Sequence, residues 1–331
     1  MNPAIKHIDE SSLCISRKRR GRGFVYLDEC GNKIESKKVL KRIRKIVIPP
    51  MWSDVMICKF DDGHIQAVGR DAKGRKQYIY HSEWEKQQQE EKFARMAEFG
   101  NRLPALRKKT QKDLLQEDWA KSKVLALMVE ILDESGIRIG NQQYTRQNGT
   151  YGLSTLRRKH IIEGRELVFH YKGKSKKEQN VTIEDPALIK HIREVAQLPG
   201  YEIFRYRDEN GNLQNVDSYD VNQYLAEAMG EGFTSKDFRT WVGSRLALEL
   251  FPAALQLKEE EPRQKLDNLL IRLVADELGN TPTVCRGYYV HPLLLRKIEA
   301  GEIPRHNPFR DSGKAHGHTA SEKLLMKLLK A

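Results

Sequence analysis

The residues of this sequence that could carry out chemistry are polar and basic side chains in separate segments, followed by two adjacent tyrosines. They are Arg138 in GIRIGN, Lys174 in YKGKSKK, Arg239 in SKDFRTW, and Asn280, Tyr288 and Tyr289 in GNTPTVCRGYY. A tyrosine hydroxyl, with a pKa of about 10, attacks poorly unless the charge that develops is stabilised. Arginine guanidiniums stabilise such charge on a phosphate through paired hydrogen bonds. The set therefore favours attack of a tyrosine on a phosphodiester.

Each of the other side chains has a use in that reaction. The guanidiniums of Arg138 and Arg239 can hold the non-bridging oxygens of a pentavalent transition state. The Asn280 amide can add one neutral hydrogen bond, and Lys174 can protonate the leaving alkoxide as a general acid. Because the guanidiniums carry the positive charge, we expect no metal ion and no other cofactor, and we see no DxD-type carboxylate cluster.

The elements that must position these residues fall into two groups. Residues 1–82 predict a β-rich N-terminal domain: a hairpin in GFVYLDECGNKIES, a helix in KKVLKRIRKI, and strands in DVMICKF, HIQAVGR and KQYIYH. Residues 83–331 predict a mainly helical domain with strands in TYGLSTL, ELVFHYKG and EQNVTI, a short hairpin near residue 207, and one last long helical segment from Thr281. The expected fold class is α+β.

Composition limits the partners. The chain has 331 residues, a formal net charge of +13 and 39% hydrophobic residues, which is typical of folded domains that bind polyanions. An anionic membrane surface would also suit the charge, and the basic run RKRRGR at 17–22 is typical of a solvated, mobile segment. Four cysteines without a CxxC pair, and no apolar stretch of about 20 residues, predict a reduced cytoplasmic protein.

In several further motifs the sequence resembles the poxvirus-like bacterial type IB DNA topoisomerases. The motifs are IPPMW, QAVGRDAKGRKQYIYH, RIGNQQY, TYGLSTLRRKHI, YKGK, KDFRTW and LGNTPTVCRGYYVHP, in this order along most of the chain. Each motif alone is weak, whereas the ordered set is specific. The resemblance implies a small β-rich domain and a helical catalytic domain with a small antiparallel sheet. It also implies relaxation of supercoiled duplex DNA by a monomer in the bacterial nucleoid, without ATP or metal.

The resemblance also implies roles for individual residues. Tyr289, rather than Tyr288, corresponds to the nucleophile that forms a 3′-phosphotyrosyl bond. Arg138 and Arg239 correspond to the phosphate-binding arginines and Lys174 to the general acid. Asn280 departs from the pattern, because many members have histidine nine residues before the nucleophile. The residues that correspond to DNA contacts are Gln77, Tyr78, Tyr80, Tyr144 and Lys236.

Every one of these residues has an ordinary structural explanation when it is taken alone. Arg138 could be a helix C-terminal charge or a surface ion pair, and Arg239 could pair with Asp237 or Glu249. Asn280 could end a helix, and Lys174 could be one of several solvated lysines at a hairpin tip. Coincidence is a poor explanation only for the whole ordered set of residues.

Two other functions explain part of the pattern. A tyrosine recombinase uses the same arginine, lysine and tyrosine chemistry, but recombinases generally have a histidine three residues before the second arginine, where this chain has Lys236. A non-catalytic protein that binds duplex DNA would explain the charge and the aromatic strand, but not the spacing of the arginines and Tyr289. A phosphatase or nuclease is disfavoured by the lack of a metal cluster or cysteine signature.

Overall fold

The chain folds as two units, which the computed structural model describes over residues 5–303 and 317–330. The first unit is Met1–Phe93 and the second is Ala94–Ala331. The first is built on one sheet and the second is mostly helical with small antiparallel sheets. The predicted α+β class is confirmed.

The sheet of the first unit has five antiparallel strands in the order β2-β1-β3-β4-β5. The elements in chain order are β1 (Ile15–Arg20), β2 (Gly23–Leu27), α1 (Lys37–Lys45), β3 (Ser53–Ile57), β4 (Ile65–Arg70), β5 (Lys76–Tyr80) and α2 (Ser82–Ala94). Helix α1 is capped at its N-terminus by Ser36, whose side chain accepts from the Val39 N–H at 3.5 Å. Its Ile43 packs against Val55 and Ile57 of β3 in the core.

The basic run forms part of a strand, contrary to the expectation of a mobile segment. Residues 17–20 lie in β1 and pair with β2. The Arg17 guanidinium donates to the Ile48 and Pro49 carbonyls at 3.2 and 3.0 Å and lies 4.2 Å from the Phe24 ring centroid. The first hairpin is therefore β1–β2. The second half of the predicted hairpin contributes only an isolated bridge, Leu27 to Lys33.

The second unit contains eleven helices over the described residues, with three-stranded and two-stranded sheets between them. Its elements are α3 (Met96–Leu114), α4 (Lys121–Ser135), α5 (Gln142–Asn148), β6 (Ile161–Glu163), β7 (Leu167–Lys172), β8 (Glu178–Ile183), α6 (Pro186–Val195), β9 (Arg205–Arg207), β10 (Leu213–Asn215), α7 (Ser218–Met229), α8 (Ser235–Glu249), α9 (Phe251–Glu260), α10 (Leu266–Glu277), α11 (Pro282–Tyr288), α12 (Pro292–Glu299) and α13 (Ala320–Lys330). Helices α4 and α8 are buried along most of their length.

Helix α3 continues through Pro104, although proline normally interrupts a helix. Proline has no N–H for the carbonyl four residues earlier, that of Gly100. The His318 imidazole Nε2 donates to this carbonyl at 2.8 Å instead. A Cβ at Gly100 would also overlap Trp241, so this turn of α3 packs tightly against α8.

Two other predictions in this unit were wrong. The segment TYGLSTL contains a short 3-10 helix, Leu153–Thr155, and the third strand of its sheet is β6. The segment after Thr281 is split into α11 and α12, because Pro292 begins a new helix and disfavours helical backbone at His291. Part of the predicted final segment lies outside the described residues.

Candidate active site

Arg138 lies in the irregular segment that follows α4, whose C-cap is Gly136 with a left-handed φ of 62°. The Arg138 carbonyl accepts from the Leu153 N–H at 2.8 Å. A Cβ at Gly152 would lie 2.6 Å from this carbonyl oxygen and equally close to Gly140 Cα. Glycine at 152 thus allows two backbone segments to meet, and their contact fixes the backbone of Arg138.

Arg239, on the buried face of α8, is only 6% exposed. Its guanidinium donates to the Gly136 carbonyl at 2.6 Å and to the Leu278 carbonyl, so it joins the ends of α4 and α10. Its Nε is buried and has no hydrogen-bond partner among the described residues. Burial, followed by repulsion from Arg138, lowers the pKa of Arg239 to about 10, although Tyr289 opposes this shift. Neither Asp237 nor Glu249 pairs with it; Arg245 is the partner of Glu249.

The Asn280 side chain connects the end of α10 to Arg138. Its Oδ1 accepts a hydrogen bond from Arg138 Nη2, and since a guanidinium only donates, this bond fixes which way the amide points. The opposite atom, Nδ2, is buried without a hydrogen-bond partner among the described residues. Buried donors are normally paired, so Arg239 Nε and Asn280 Nδ2 are suited to a ligand that supplies acceptor oxygens.

Tyr289 caps the C-terminus of α11 and is half-buried, whereas Tyr288 is 41% exposed. The Arg239 guanidinium carbon lies 5.1 Å from the Tyr289 ring centroid. Tyr289 also contacts α8 through its backbone: the Ser244 hydroxyl donates to its carbonyl at 3.2 Å. A Cβ at Gly243 would lie 2.8 Å from that carbonyl oxygen, so glycine in α8 permits this close approach.

Lys174 lies at the tip of the β7–β8 hairpin and is exposed. Ser175 and Lys176 both have left-handed φ values, 64° and 60°, which close the tight turn. In the described part of the chain, Lys174 makes no hydrogen bond or ion pair with the other predicted site residues. The structure thus groups Arg138, Arg239, Asn280 and Tyr289, and places Lys174 at an accessible tip of an adjoining element.

Tyr171 and Gln179 also border this group, and neither is among the residues predicted from the sequence. They are directly opposite each other on β7 and β8, and both are buried, at 4% and 5% exposure. Burial raises the pKa of Tyr171 to about 12, although Arg239 and Arg138 oppose the shift. The alternation in β7 could have identified Tyr171, because Leu167, Phe169 and Tyr171 share the inner face.

The predicted DNA-contacting residues of the first unit lie on β5. The rings of Tyr78 and Tyr80 stack 5.9 Å apart on one face, and both are more than a third exposed. Gln77 lies on the other face, where its Nε2 donates to Asp71 at 3.1 Å. The Glu10 carboxylate accepts from the Tyr78 hydroxyl at 2.8 Å and from Lys76. The hydrogen bond from Lys76, then that from Tyr78, lowers the pKa of Glu10.

The remaining predicted contacts are on the second unit. Tyr144 is 53% exposed on α5, four residues before that helix ends at Asn148. Lys236 is exposed in the first turn of α8, whose cap is the Thr234 side chain. Both side chains are accessible to a large ligand.

The described residues contain no group of three or more His, Cys, Asp or Glu side chains that could hold a metal ion. No helix among them is long and apolar enough to cross a membrane.

Two protein-family models match this chain. Residues 81–301 match the model of the eukaryotic DNA topoisomerase I catalytic core. Residues 23–71 match the N-terminal domain of bacterial DNA topoisomerase IB. The chain therefore belongs to the type IB DNA topoisomerase family, whose members are isomerases, and it carries the bacterial type of N-terminal domain.

Two viral relatives support the same assignment. The chain is 32% identical over 311 residues to DNA topoisomerase 1B of Acanthamoeba polyphaga mimivirus, covering 92% of this chain and 90% of the relative. It is 25% identical to DNA topoisomerase 1B of vaccinia virus strain Copenhagen, covering 70% and 72%. A structure of the XerH site-specific recombinase bound to a palindromic difH substrate aligns with a TM-score of 0.37 at 17% identity, covering 61% of this chain and 51% of the recombinase. The resemblance inferred from the motifs is confirmed by the family matches.

Proposed function

We propose that this topoisomerase relaxes supercoiled duplex DNA through a covalent bond between Tyr289 and the 3′ side of a single-strand break. One observation supports the proposal most directly: Arg239 Nε and Asn280 Nδ2 are buried donors without partners, in the same site as Arg138 and Tyr289. A phosphodiester supplies the oxygens that these donors lack. Donors fixed before the reaction stabilise developing charge without reorganising.

The chemical steps follow from the residue types. The Tyr289 oxygen attacks phosphorus, giving up its proton to solvent, while Arg138, Arg239 and Asn280 bind the non-bridging oxygens. The bond from phosphorus to the 5′ oxygen breaks, and Lys174 protonates the leaving oxygen. The uncut strand lets the duplex beyond the break rotate until torsion falls. The 5′ hydroxyl then attacks the phosphotyrosine and returns its proton to Lys174. The bond from phosphorus to the Tyr289 oxygen breaks, which restores the phosphodiester, and the released tyrosine oxygen takes up a proton from solvent.

The bond energy stays in the phosphotyrosine, so we expect the reaction to proceed without ATP or added metal. The stacked tyrosines of β5, together with Tyr144 and Lys236, are proposed to contact the duplex, and their positions on accessible faces support this role. Gln77 is also proposed to contact the duplex: its bond to Asp71 uses one amide hydrogen and leaves the second hydrogen and the carbonyl oxygen for DNA. We further propose that the enzyme acts as a monomer on DNA of the bacterial nucleoid, in the cytoplasm, in keeping with its bacterial type of N-terminal domain.

The experiment is relaxation of a supercoiled plasmid in EDTA without ATP. The wild type and Tyr288→Phe should relax the plasmid, because Tyr288 is exposed and outside the site. Tyr289→Phe should not. Denaturant should trap a protein–DNA adduct with wild type only, joined to the 3′ side of the break. Full activity of Tyr289→Phe, or a 5′ linkage, would overturn the proposal, and exchange between two defined sites without relaxation would favour a recombinase.

A further inference from the structure

The side chain of Gln179 lies between two glycines, each of which directly precedes a proposed catalytic residue. Gly173 precedes Lys174, and a Cβ at Gly173 would lie 2.7 Å from Gln179 Cγ. Gly279 precedes Asn280, and a Cβ there would overlap the Gln179 amide. One side chain therefore touches both the base of the Lys174 hairpin and the turn that carries Asn280.

Hydrogen bonds fix Gln179 in this place. Its Nε2 donates to the Gly279 carbonyl at 3.1 Å and to the Glu178 carbonyl at 3.0 Å, which uses both amide hydrogens. Glu178 and Gln179 are adjacent on β8, whereas Gly279 follows α10, a hundred residues further along the chain. The amide thus joins β8 to the end of α10 across the site.

The hairpin tip itself has few other restraints. Lys174 is exposed, and the turn closes through a hydrogen bond from the Gly173 N–H to the Lys177 carbonyl at 2.8 Å. This bond closes the turn but does not attach the tip to the proposed phosphate-binding residues. Two contacts attach the base of the hairpin to the site: the Lys172 carbonyl accepts from the Tyr151 N–H at 2.8 Å, close to the contact between Leu153 and Arg138, and Gln179 joins the hairpin to the turn that carries Asn280.

We propose that Gln179 is a positioning residue that holds the Lys174 hairpin in register with Asn280, so that the general acid faces the 5′ oxygen while the amide faces the phosphate. The inference rests on the roles proposed above for Lys174 and Asn280. Gln179 contacts neither DNA nor the reacting atoms; it acts through the two elements that it joins.

A leaving group that needs no proton separates positioning of Lys174 from a general structural role. If sulfur replaces the bridging 5′ oxygen at the cleaved phosphate, the thiolate leaves without a general acid, because a thiol is a far stronger acid than an alcohol. A defect caused by a misplaced Lys174 should shrink on the sulfur substrate. A defect caused by general loosening of the site should be equal on both substrates.

The test is single-turnover cleavage of duplexes that carry oxygen or sulfur at a site first mapped with wild type. Gln179→Met removes the amide at similar volume and should cleave the oxygen substrate about tenfold to hundredfold more slowly, within the contribution of a positioned general acid. On the sulfur substrate the loss should be at least about fivefold smaller, and DNA affinity should be unchanged. Asn180→Met is the matched control, since Asn180 is the exposed next residue on the opposite face of β8; it should behave as wild type.

Equal losses on the two substrates, or no loss, would overturn the proposal. Lys174→Ala distinguishes this failure from failure of the proposed function: if sulfur does not rescue Lys174→Ala, the general-acid assignment itself is wrong. Thermal melting checks that each variant folds. If Gln179→Met does not fold, Gly279→Ala is measured instead, because its added Cβ would overlap the Gln179 amide. Its loss of cleavage rate must also be at least about fivefold smaller on the sulfur substrate than on the oxygen substrate.

Discussion

Asn280 gives the site a donor that does not titrate. Its oxygen is held by Arg138, so its NH₂ group is left facing the position proposed for the phosphate. A histidine at this position could also donate, but its charge would change near neutral pH. The chemistry at position 280 should therefore be independent of pH in the physiological range.

Asn280→His should introduce a pH dependence that the wild type lacks. Below its pKa of about 6.5 the imidazolium adds positive charge beside the phosphate, and this gain is lost as pH rises through that value. Single-turnover cleavage from pH 5 to pH 8 should show the ratio of variant to wild-type rates falling with pH. Asn280→Ala is the control; it should lose about 10²-fold in rate at every pH, as when one oxyanion donor is removed. A flat ratio for Asn280→His would contradict the assigned position of the amide.

Glu10 holds a negative charge against the proposed DNA-contacting face of β5. Glu10→Gln should release Lys76 to bind phosphate, which should raise DNA affinity several-fold and steepen the dependence of log K on log salt by about one. Equilibrium binding of the full chain from 50 to 300 mM salt, with Tyr289→Phe in all proteins to prevent cleavage, would measure both effects. Glu29→Gln, an exposed carboxylate in the turn after β2, removes the same charge elsewhere. If the two variants bind alike, net charge alone is responsible and Glu10 does not mask Lys76.

At the scale of elements, one hydroxyl attaches the turn that carries the nucleophile to α8. The Ser244 Oγ donates to the Tyr289 carbonyl and accepts from the His291 N–H at 3.0 Å. Both partners lie in the short connection between α11 and α12. Ser244 therefore sets where the Tyr289 backbone lies relative to Arg239 on the same helix.

Ser244→Ala should lower the free energy of unfolding by about 1–2 kcal/mol, because it leaves partly buried backbone groups without this partner. Cleavage should slow by about tenfold, since small displacements of reacting groups are costly. Thr240→Val is a control from the same helix: the Thr240 hydroxyl is buried without a partner in the described structure, so its loss should be neutral or stabilising. Urea unfolding and single-turnover cleavage measure the two effects. An unchanged cleavage rate in Ser244→Ala would show that α8 does not position the nucleophile.

Much of the architecture was predictable from local patterns, and the failures have identifiable causes. Strands β3, β4 and β5 and helix α4 follow from alternation and helical periodicity. The course of α3 through Pro104 was not predictable, because the partner of the Gly100 carbonyl is His318, more than two hundred residues away in sequence. The basic run was misjudged since pairing with β2, a tertiary effect, outweighs its charge.

The proposed catalytic residues of the candidate site were predictable from the sequence, whereas Gln179 was not. The catalytic residues were identified because their types and order match a family, and the structure brings four of them together. No motif in the sequence identifies Gln179. Its proposed role depends on its contacts with Gly173 and Gly279, the glycines that precede Lys174 and Asn280. The roles of all these residues stay predictions until the variants are measured.

At the scale of the molecule, one buried charge network ties distant helices of the second unit together. Arg107 on α3 donates to Asp133 on α4 and to Glu322 on α13, each at 2.7 Å. Glu322 also accepts from Trp241 Nε1 at 2.9 Å, two residues beyond Arg239 on α8. Burial would raise the pKa of Glu322, but the hydrogen bonds and charge of Arg107 outweigh it and lower this pKa to about 2.

Glu322→Gln should lower the free energy of unfolding at pH 7 by about 3–5 kcal/mol, because the Arg107 charge loses a buried partner. The folded pKa of Glu322 lies below its unfolded value of about 4.3, so its stabilisation is complete above that pH and is lost as pH falls toward 2. Urea unfolding at pH 7 and pH 3 should show the gap between variant and wild type narrowing in acid. Glu259→Gln changes an exposed carboxylate on α9 and should have little effect at either pH. A gap that stays constant with pH would contradict an ionised Glu322.

The unpaired donors at the proposed phosphate site limit which substitutions can stabilise this protein without loss of activity. Each buried donor without a partner costs about 1–3 kcal/mol of folding free energy while the site is empty. Selection for thermostability alone would therefore act against the unpaired donors and could discard groups that the reaction needs. The site is retained although it lowers the stability of the DNA-free enzyme. Selections for more stable variants should therefore leave these positions unchanged.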